Sequence, residues 1–271
     1  MSPRGGLAVV IPARNEFDRI GATVRAAGRI PGADIVVVVD DGSNDGTGSE
    51  AAVAGATVVR HARNRGKAAA METGAEAVRV IEVERAAVLA IEAEHAAVGR
   101  AHRHLLFLDA DLAETAAEAG PLAEPVVAGR ADMTIAVFST RVKRGGLGLV
   151  MGLSGAGIER ATGWRPTEPL NGQRCLTRAA FEAARPLASG WGAETGLTID
   201  LLRKGMRIAE VQVALAHRAT GKDLNSQVHR ARQLLGVARA LAERQPWQHA
   251  TARPDGQVAE QHDAETAAAA P

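Results

Sequence analysis

The chain reads as an α/β protein built on a mostly parallel central sheet flanked by helices. Three observations carry this. Residues 7–11, 35–39 and 105–108 are short apolar runs without polar alternation, the pattern of strands buried on both faces. Each run ends in a polar or glycine-containing cluster that carries carboxylates. Helix-like segments separate the runs, as parallel crossovers require. Sheets of this kind collect ligands beyond the carboxyl ends of their strands.

In chain order, the first strand at 7–11 is ended by Pro12, and a helix runs from there towards Ala27, with Asn15 as its N-cap and Glu16 in its first turn. The second strand, 35–39, leads into Asp40-Asp41-Gly42-Ser43-Asn44-Asp45-Gly46-Thr47, a loop that opens the next helix. A short third strand at 57–59 is followed by Arg63-Asn64-Arg65-Gly66-Lys67, which turns into a helical stretch over 68–101, expected to break once. The glutamates in that stretch read as a solvated face, and its length beyond a simple crossover is an insertion over 80–103 with no assigned role.

The fourth strand ends in Phe107-Leu108-Asp109-Ala110-Asp111. If the strand persists to its end, alternate residues share a face, so Asp109 and Asp111 present oxygens to the same space. Such oxygens suit Mg2+ or Mn2+ together with substrate phosphates, although an ordinary strand exit gives the same spacing. A helix over 113–128, broken near Pro121, precedes a strand at 133–137. Residues 145–158 read as a glycine-rich mobile loop leading into a helix. Beyond lie 176–184, a helix over 194–204, a final strand over 208–215 and an amphipathic helix over 224–243. That last helix reads as packing on its own domain, with pairing in a homodimer as the alternative.

Composition narrows the function. With 271 residues, 46% of them hydrophobic, the chain can bury a large core. A net charge of +1 and an aromatic content of 3% give neither the field nor the stacking platforms that nucleic acid needs. The single Cys175 excludes an internal disulfide framework and fits a reducing cytoplasm. No secretory signal or membrane span is evident, so the expected location is cytoplasmic.

Four motifs fall in one order: Val10-Ile11-Pro12-Ala13-Arg14-Asn15-Glu16, then Val39 to Thr47, then Asn64-Arg65-Gly66-Lys67, then Phe107 to Asp111. Together they resemble the nucleotide-sugar glycosyltransferases of the GT-A fold, a Rossmann-like α/β architecture, in their family 2-like branch. The resemblance covers roughly residues 7–225. The second half looks most like glucosyl-3-phosphoglycerate synthases, through Pro169-Leu170-Asn171-Gly172-Gln173 and Gly190-Trp191-Gly192-Ala193-Glu194. It is also similar to enzymes of the dolichol-phosphate mannose synthase type, through Arg218-Ala219-Thr220-Gly221-Lys222.

The resemblance implies one domain over 1–248, with a nucleotide-sugar half at about 1–112 and an acceptor half at about 113–248, while the polar composition without apolar periodicity beyond His249 reads as a disordered tail at 249–271. It implies that Pro12, Ala13 and Glu16 line the nucleoside and that Asp41 receives a base N–H. Gly66 admits the ligand closely, and Lys67 supplies charge. Asp109 touches ribose or metal, Asp111 is the better metal ligand and a catalytic residue, and His217 is a second ligand to Mg2+ or Mn2+. Glu194 orients the acceptor or takes its proton, while Gly172, Arg218 and Lys222 belong to the substrate site. Arg141, Lys143 and Arg144 offer further charge for an anionic acceptor. The expected activity is transfer of a hexose, from UDP-glucose above other donors, to a phosphate-bearing small acceptor such as 3-phosphoglycerate. The alternatives are a polyprenyl-phosphate acceptor at a membrane surface and a nucleotide-sugar-binding protein without transfer activity. A nucleotidyltransferase is disfavoured because the first strand exit lacks a glycine-rich phosphate loop.

Overall fold

A computed structural model of the chain describes residues 6–92, 102–138, 148–215 and 224–244. Among the described residues seven strands form one sheet: β1 (Leu7–Ala13), β2 (Ala33–Asp40), β3 (Thr57–Arg60), β4 (His104–Phe107), β5 (Met133–Phe138), β6 (Arg174–Leu176) and β7 (Ile208–Val213). Their spatial order is β3-β2-β1-β4-β6-β5-β7, and only β6 runs antiparallel to its neighbours. Both faces are covered, which is why the strands carry no polar alternation. Val9, Ile11 and Leu106 pack under α1 (Phe17–Ala27), α2 (Thr47–Val53) and, after α3 (Lys67–Glu92), the helix α4 (Gly120–Val127). Ala8, Val10, Leu105 and Phe107 face α3, and behind it α6 (Arg178–Ala184) and α7 (Ala193–Arg203). Between α4 and α6 in sequence lies α5 (Gly148–Thr162). It packs on α7 and on the last helix, α8 (Leu224–Glu243), which thus rests on its own domain.

The sheet positions the site through one reversal. From β1 the chain winds outward to β2 and β3, and β4 then starts the opposite side, so β1 and β4 flank the topological switch point. β1 pairs with β2 as far as Ala13↔Asp40, but with β4 only as far as Val10↔Phe107. Beyond that register the two strands are no longer paired, and the carboxyl ends at such a switch point are where sheets of this kind form a ligand crevice. Pro12 does not end β1 as expected. It lies past the stretch paired with β4, where its missing N–H costs no ladder bond on that side.

Several expectations are corrected. The helix α3 is unbroken through Glu92, and residues 93–101 of the insertion lie outside the described residues. The turn around Pro121 is real but mild: a 3-10 segment over Ala113–Ala119 passes into α4 with the proline in its first turn, where a missing N–H is harmless. Residues from Gly148 onward are helix and not loop, because Val150, Ser154 and Ile158 bury against the rest of the domain. Asn15 is not the cap of α1. Its φ is +55, the helix starts at Phe17, and α1 is capped from across the crevice. Thr47 Oγ1 accepts from Glu16 N at 2.9 Å and Asp45 Oδ2 from Phe17 N at 3.3 Å. The expected tail at 249–271 lies outside the described residues, as do Arg141, Lys143 and Arg144. Among the described residues no helix is long and apolar enough to cross a membrane.

Candidate functional site

The crevice floor is made by loops that bind one another. Ser43 Oγ accepts from Asn15 N at 3.0 Å, and Asn15 Oδ1 accepts from Asn44 N at 3.0 Å. These bonds tie the exit of β1, with Pro12, Ala13 and Glu16, to the exit of β2. The second of these exits also meets the turn that starts α3. Gly42 has φ +74, and a Cβ there would lie 2.7 Å from both Arg63 C and Asn64 N. Only glycine permits this backbone-to-backbone contact.

Asp41 fixes the same junction. Its Oδ1 accepts from Arg65 N and from His61 Nδ1, both at 2.7 Å, and its Oδ2 accepts from Gly66 N at 2.8 Å. Burial would raise its pKa, but His61 and the two amides outweigh burial and hold the carboxyl below its ordinary value. Asp41 is therefore largely engaged within the fold. A carboxylate offers about four acceptor directions, and three are already used.

At the centre stands Lys67, the first residue of α3. Its Nζ lies 2.6 Å from Asp109 Oδ1 and 3.1 Å from Glu194 Oε1. Burial disfavours the ammonium, yet the two carboxylates more than offset this and hold Lys67 well above its ordinary range. The other oxygen of Asp109 accepts from Gln173 Nε2 at 2.6 Å. Gly172 sits directly against this pair, and a Cβ there would overlap Lys67 Nζ and come within 2.9 Å of Asp109 Oδ1. Thus Lys67, Asp109, Gly172 and Glu194 are brought together from the start of α3, the segment after β4, the loop before β6 and the start of α7.

The loop before β6 is held by Arg174, which is fully buried. Its guanidinium donates to the carbonyls of Asn171 (2.8 Å), Pro169 (3.0 Å) and Glu194 (3.1 Å) and to Thr198 Oγ1 (2.8 Å). Burial pushes its pKa down to about 10, against the opposing charges of Glu194 and Glu210. Neither Arg174 nor His61 was singled out in the sequence. The signal for His61 was its place right after β3, within reach of a carboxylate-rich strand exit. For Arg174 no pattern in the sequence announces burial.

Asp109 and Asp111 do not share a strand face, because β4 ends at Phe107 and both lie in the turn beyond it. That turn is clamped to α1: Arg19 Nη1 donates to Asp111 O at 3.0 Å, and Thr23 Oγ1 donates to Ala110 O at 2.8 Å and accepts from Ala113 N at 2.8 Å. Ala113 leaves the turn with φ +49. With Asn15, at the exit of β1, it is one of two described non-glycine residues at positive φ.

Among the described residues no three His, Cys, Asp or Glu side chains gather as a self-sufficient cation site. A cation held chiefly by substrate phosphates needs only one or two protein carboxylates, and Asp111, in the turn at the crevice, fits that demand. Asp109 is paired with the cation of Lys67 at 2.6 Å. His217, Arg218 and Lys222 lie outside the described residues.

Residues 8–80 match the family model for glycosyl transferase family 2. No curated protein matches the chain in sequence. Among solved structures, the chain is similar to glucosyl-3-phosphoglycerate synthase from Mycobacterium tuberculosis. The complex of that enzyme with phosphoglyceric acid is 23% identical, with a TM-score of 0.65 over 89% of this chain and 80% of that one. Its complex with Mg2+ and uridine diphosphate gives 23% identity and a TM-score of 0.66, over 89% and 79% of the two chains. Its complex with Mn2+, UDP-glucose and phosphoglyceric acid gives 24% and 0.63, over 88% and 80%. The fold is therefore that of the GT-A, Rossmann-like glycosyltransferases.

Proposed function

We propose that the chain transfers a hexose, from UDP-glucose in the first instance, to a phosphate-bearing small acceptor such as 3-phosphoglycerate. The observation that carries this is the Lys67–Asp109–Glu194 cluster at the switch point of the sheet. The neighbours, solved with UDP-glucose, Mn2+ or Mg2+ and phosphoglyceric acid, support the same donor and acceptor.

Pro12, Ala13, Glu16, Asp41 and Gly66 form the nucleoside end of the crevice. Lys67 brings a fixed positive charge towards the diphosphate. Asp111 would hold the Mg2+ or Mn2+, which supplies charge neutralisation for the departing diphosphate. Glu194 is 6% exposed and opens α7, so its carboxylate is placed to orient the acceptor hydroxyl. As the acceptor oxygen bonds to the sugar C1, the C1–O bond to the diphosphate breaks and its electron pair leaves on the phosphate oxygen. The hydroxyl proton passes to Glu194.

A second reading, transfer to polyprenyl phosphate at a membrane surface, is favoured by exposed leucines on two neighbouring helices. Leu149 on α5 is 83% exposed and Leu235 on α8 69%. The test is release of UDP from UDP-glucose and Mn2+, with 3-phosphoglycerate or with vesicles containing polyprenyl phosphate as acceptor. Turnover with the soluble acceptor alone supports the first reading, and turnover with vesicles alone supports the second. Donor binding without UDP release from either would identify a binding protein.

A further inference from the structure

His61 follows β3 and is 6% exposed. Its ring joins two elements that face the nucleoside end: Nδ1 lies 2.7 Å from Asp41 Oδ1, and Nε2 lies 3.0 Å from Thr73 Oγ1 on α3. A carboxylate can only accept, so Nδ1 carries the proton. In the neutral ring Nε2 then accepts from the Thr73 hydroxyl. The other two donors to Asp41 are the amides of Arg65 and Gly66. Among the described residues His61 is thus the one side chain that orients this carboxylate, and together the three donors leave a single acceptor direction, on Oδ2.

We propose that His61 is a positioning residue for nucleotide selection: it holds Asp41 so that its one remaining acceptor direction takes the ring N–H of the donor's base. Uracil and guanine carry such an N–H, whereas cytosine and adenine present a ring acceptor at the equivalent place and are rejected. The inference rests on the crevice binding a nucleotide-diphosphate sugar. It adds that base choice is set one residue away from the carboxylate that reads it. If the ring bond to Asp41 is lost, the carboxylate can turn and offer a different oxygen, so that selectivity falls together with affinity.

The experiment is calorimetric titration of UDP and CDP, each with Mn2+, into the full chain and into His61→Asn, His61→Gln and Thr73→Val. An asparagine amide nitrogen sits near the place of Nδ1 and keeps the donor to Asp41, whereas a glutamine amide nitrogen sits near Nε2 and loses it. The wild type and His61→Asn should both prefer UDP. His61→Gln should bind UDP at least about tenfold more weakly, the size expected of one hydrogen bond to a charged group, and its UDP-to-CDP ratio should fall towards one. Thr73→Val, which frees only the outer side of the ring, should lower the ratio by less; it decides the matter if His61→Gln does not fold. An unchanged ratio in both His61→Gln and Thr73→Val, or equal losses in His61→Asn and His61→Gln that track their melting temperatures, would overturn the proposal. A wild type that binds neither nucleotide overturns the donor reading as well, a result distinct from unchanged selectivity.

Discussion

Lys67 Nζ stands 2.6 Å from Asp109 Oδ1, a contact that joins the start of one helix to the segment after a strand, 42 residues later. With Glu194 at 3.1 Å on the other side, Lys67 compensates two carboxylates at once. Lys67→Met should leave both without their cation and lower turnover by at least about tenfold, the size of one lost hydrogen bond to a charged group. Steady-state UDP release checks this. Activity within a few-fold of wild type would show that the cluster is structural only.

Gly172→Ala places a methyl group against Lys67 Nζ and Asp109. Overpacking of this kind costs about 1–3 kcal/mol, and here the strain falls on the ion pair. A lower melting temperature with a larger fractional loss of turnover is expected, and thermal denaturation measured beside initial rates reads both.

Arg174→Met removes the donor to three carbonyls and to Thr198 Oγ1 while filling much of the volume. Acceptors left buried and unpaired cost about 1–3 kcal/mol each before relaxation. Relief of the buried charge, which already depresses the guanidinium to about 10, offsets part of that. A net destabilisation of about 2–4 kcal/mol is expected in urea titrations. A variant as stable as the wild type would contradict the assigned role.

Asp41 has a folded pKa below its ordinary 3.8. The folded state therefore releases this proton more readily than the unfolded chain. Its contribution to stability is complete above 3.8 and is lost as pH falls through the lower folded value. Asp41→Asn should be less stable than the wild type at neutral pH, and the gap should narrow as pH falls from 3.8 through the lower folded value. Melting curves across an acid series would show a constant gap if the carboxylate had no special partners.

How far the sequence could be read depended on where each contact came from. The apolar strands β1, β2 and β4 are local signals, and the carboxylates at their ends followed from the same runs. Lys67, Asp109, Gly172 and Glu194 were each visible as motif members, but their convergence is a property of the strand order. Contacts made across the fold could not be read. Asn15 looked like a cap because of its neighbours, while the real acceptors, Thr47 and Asp45, come from the next loop. β6 is three residues long and begins with a buried arginine, which no strand pattern anticipates. The pleat argument for Asp109 and Asp111 failed because β4 stops two residues before the first of them.

The most direct test is calorimetric titration of UDP into wild type and Asp111→Ala, with and without Mn2+. The account predicts binding to the wild type that needs the cation, and loss of that cation dependence in the variant with the fold intact by circular dichroism. Absence of UDP binding to the wild type in either condition would contradict it, leaving a GT-A-type fold without a nucleotide site.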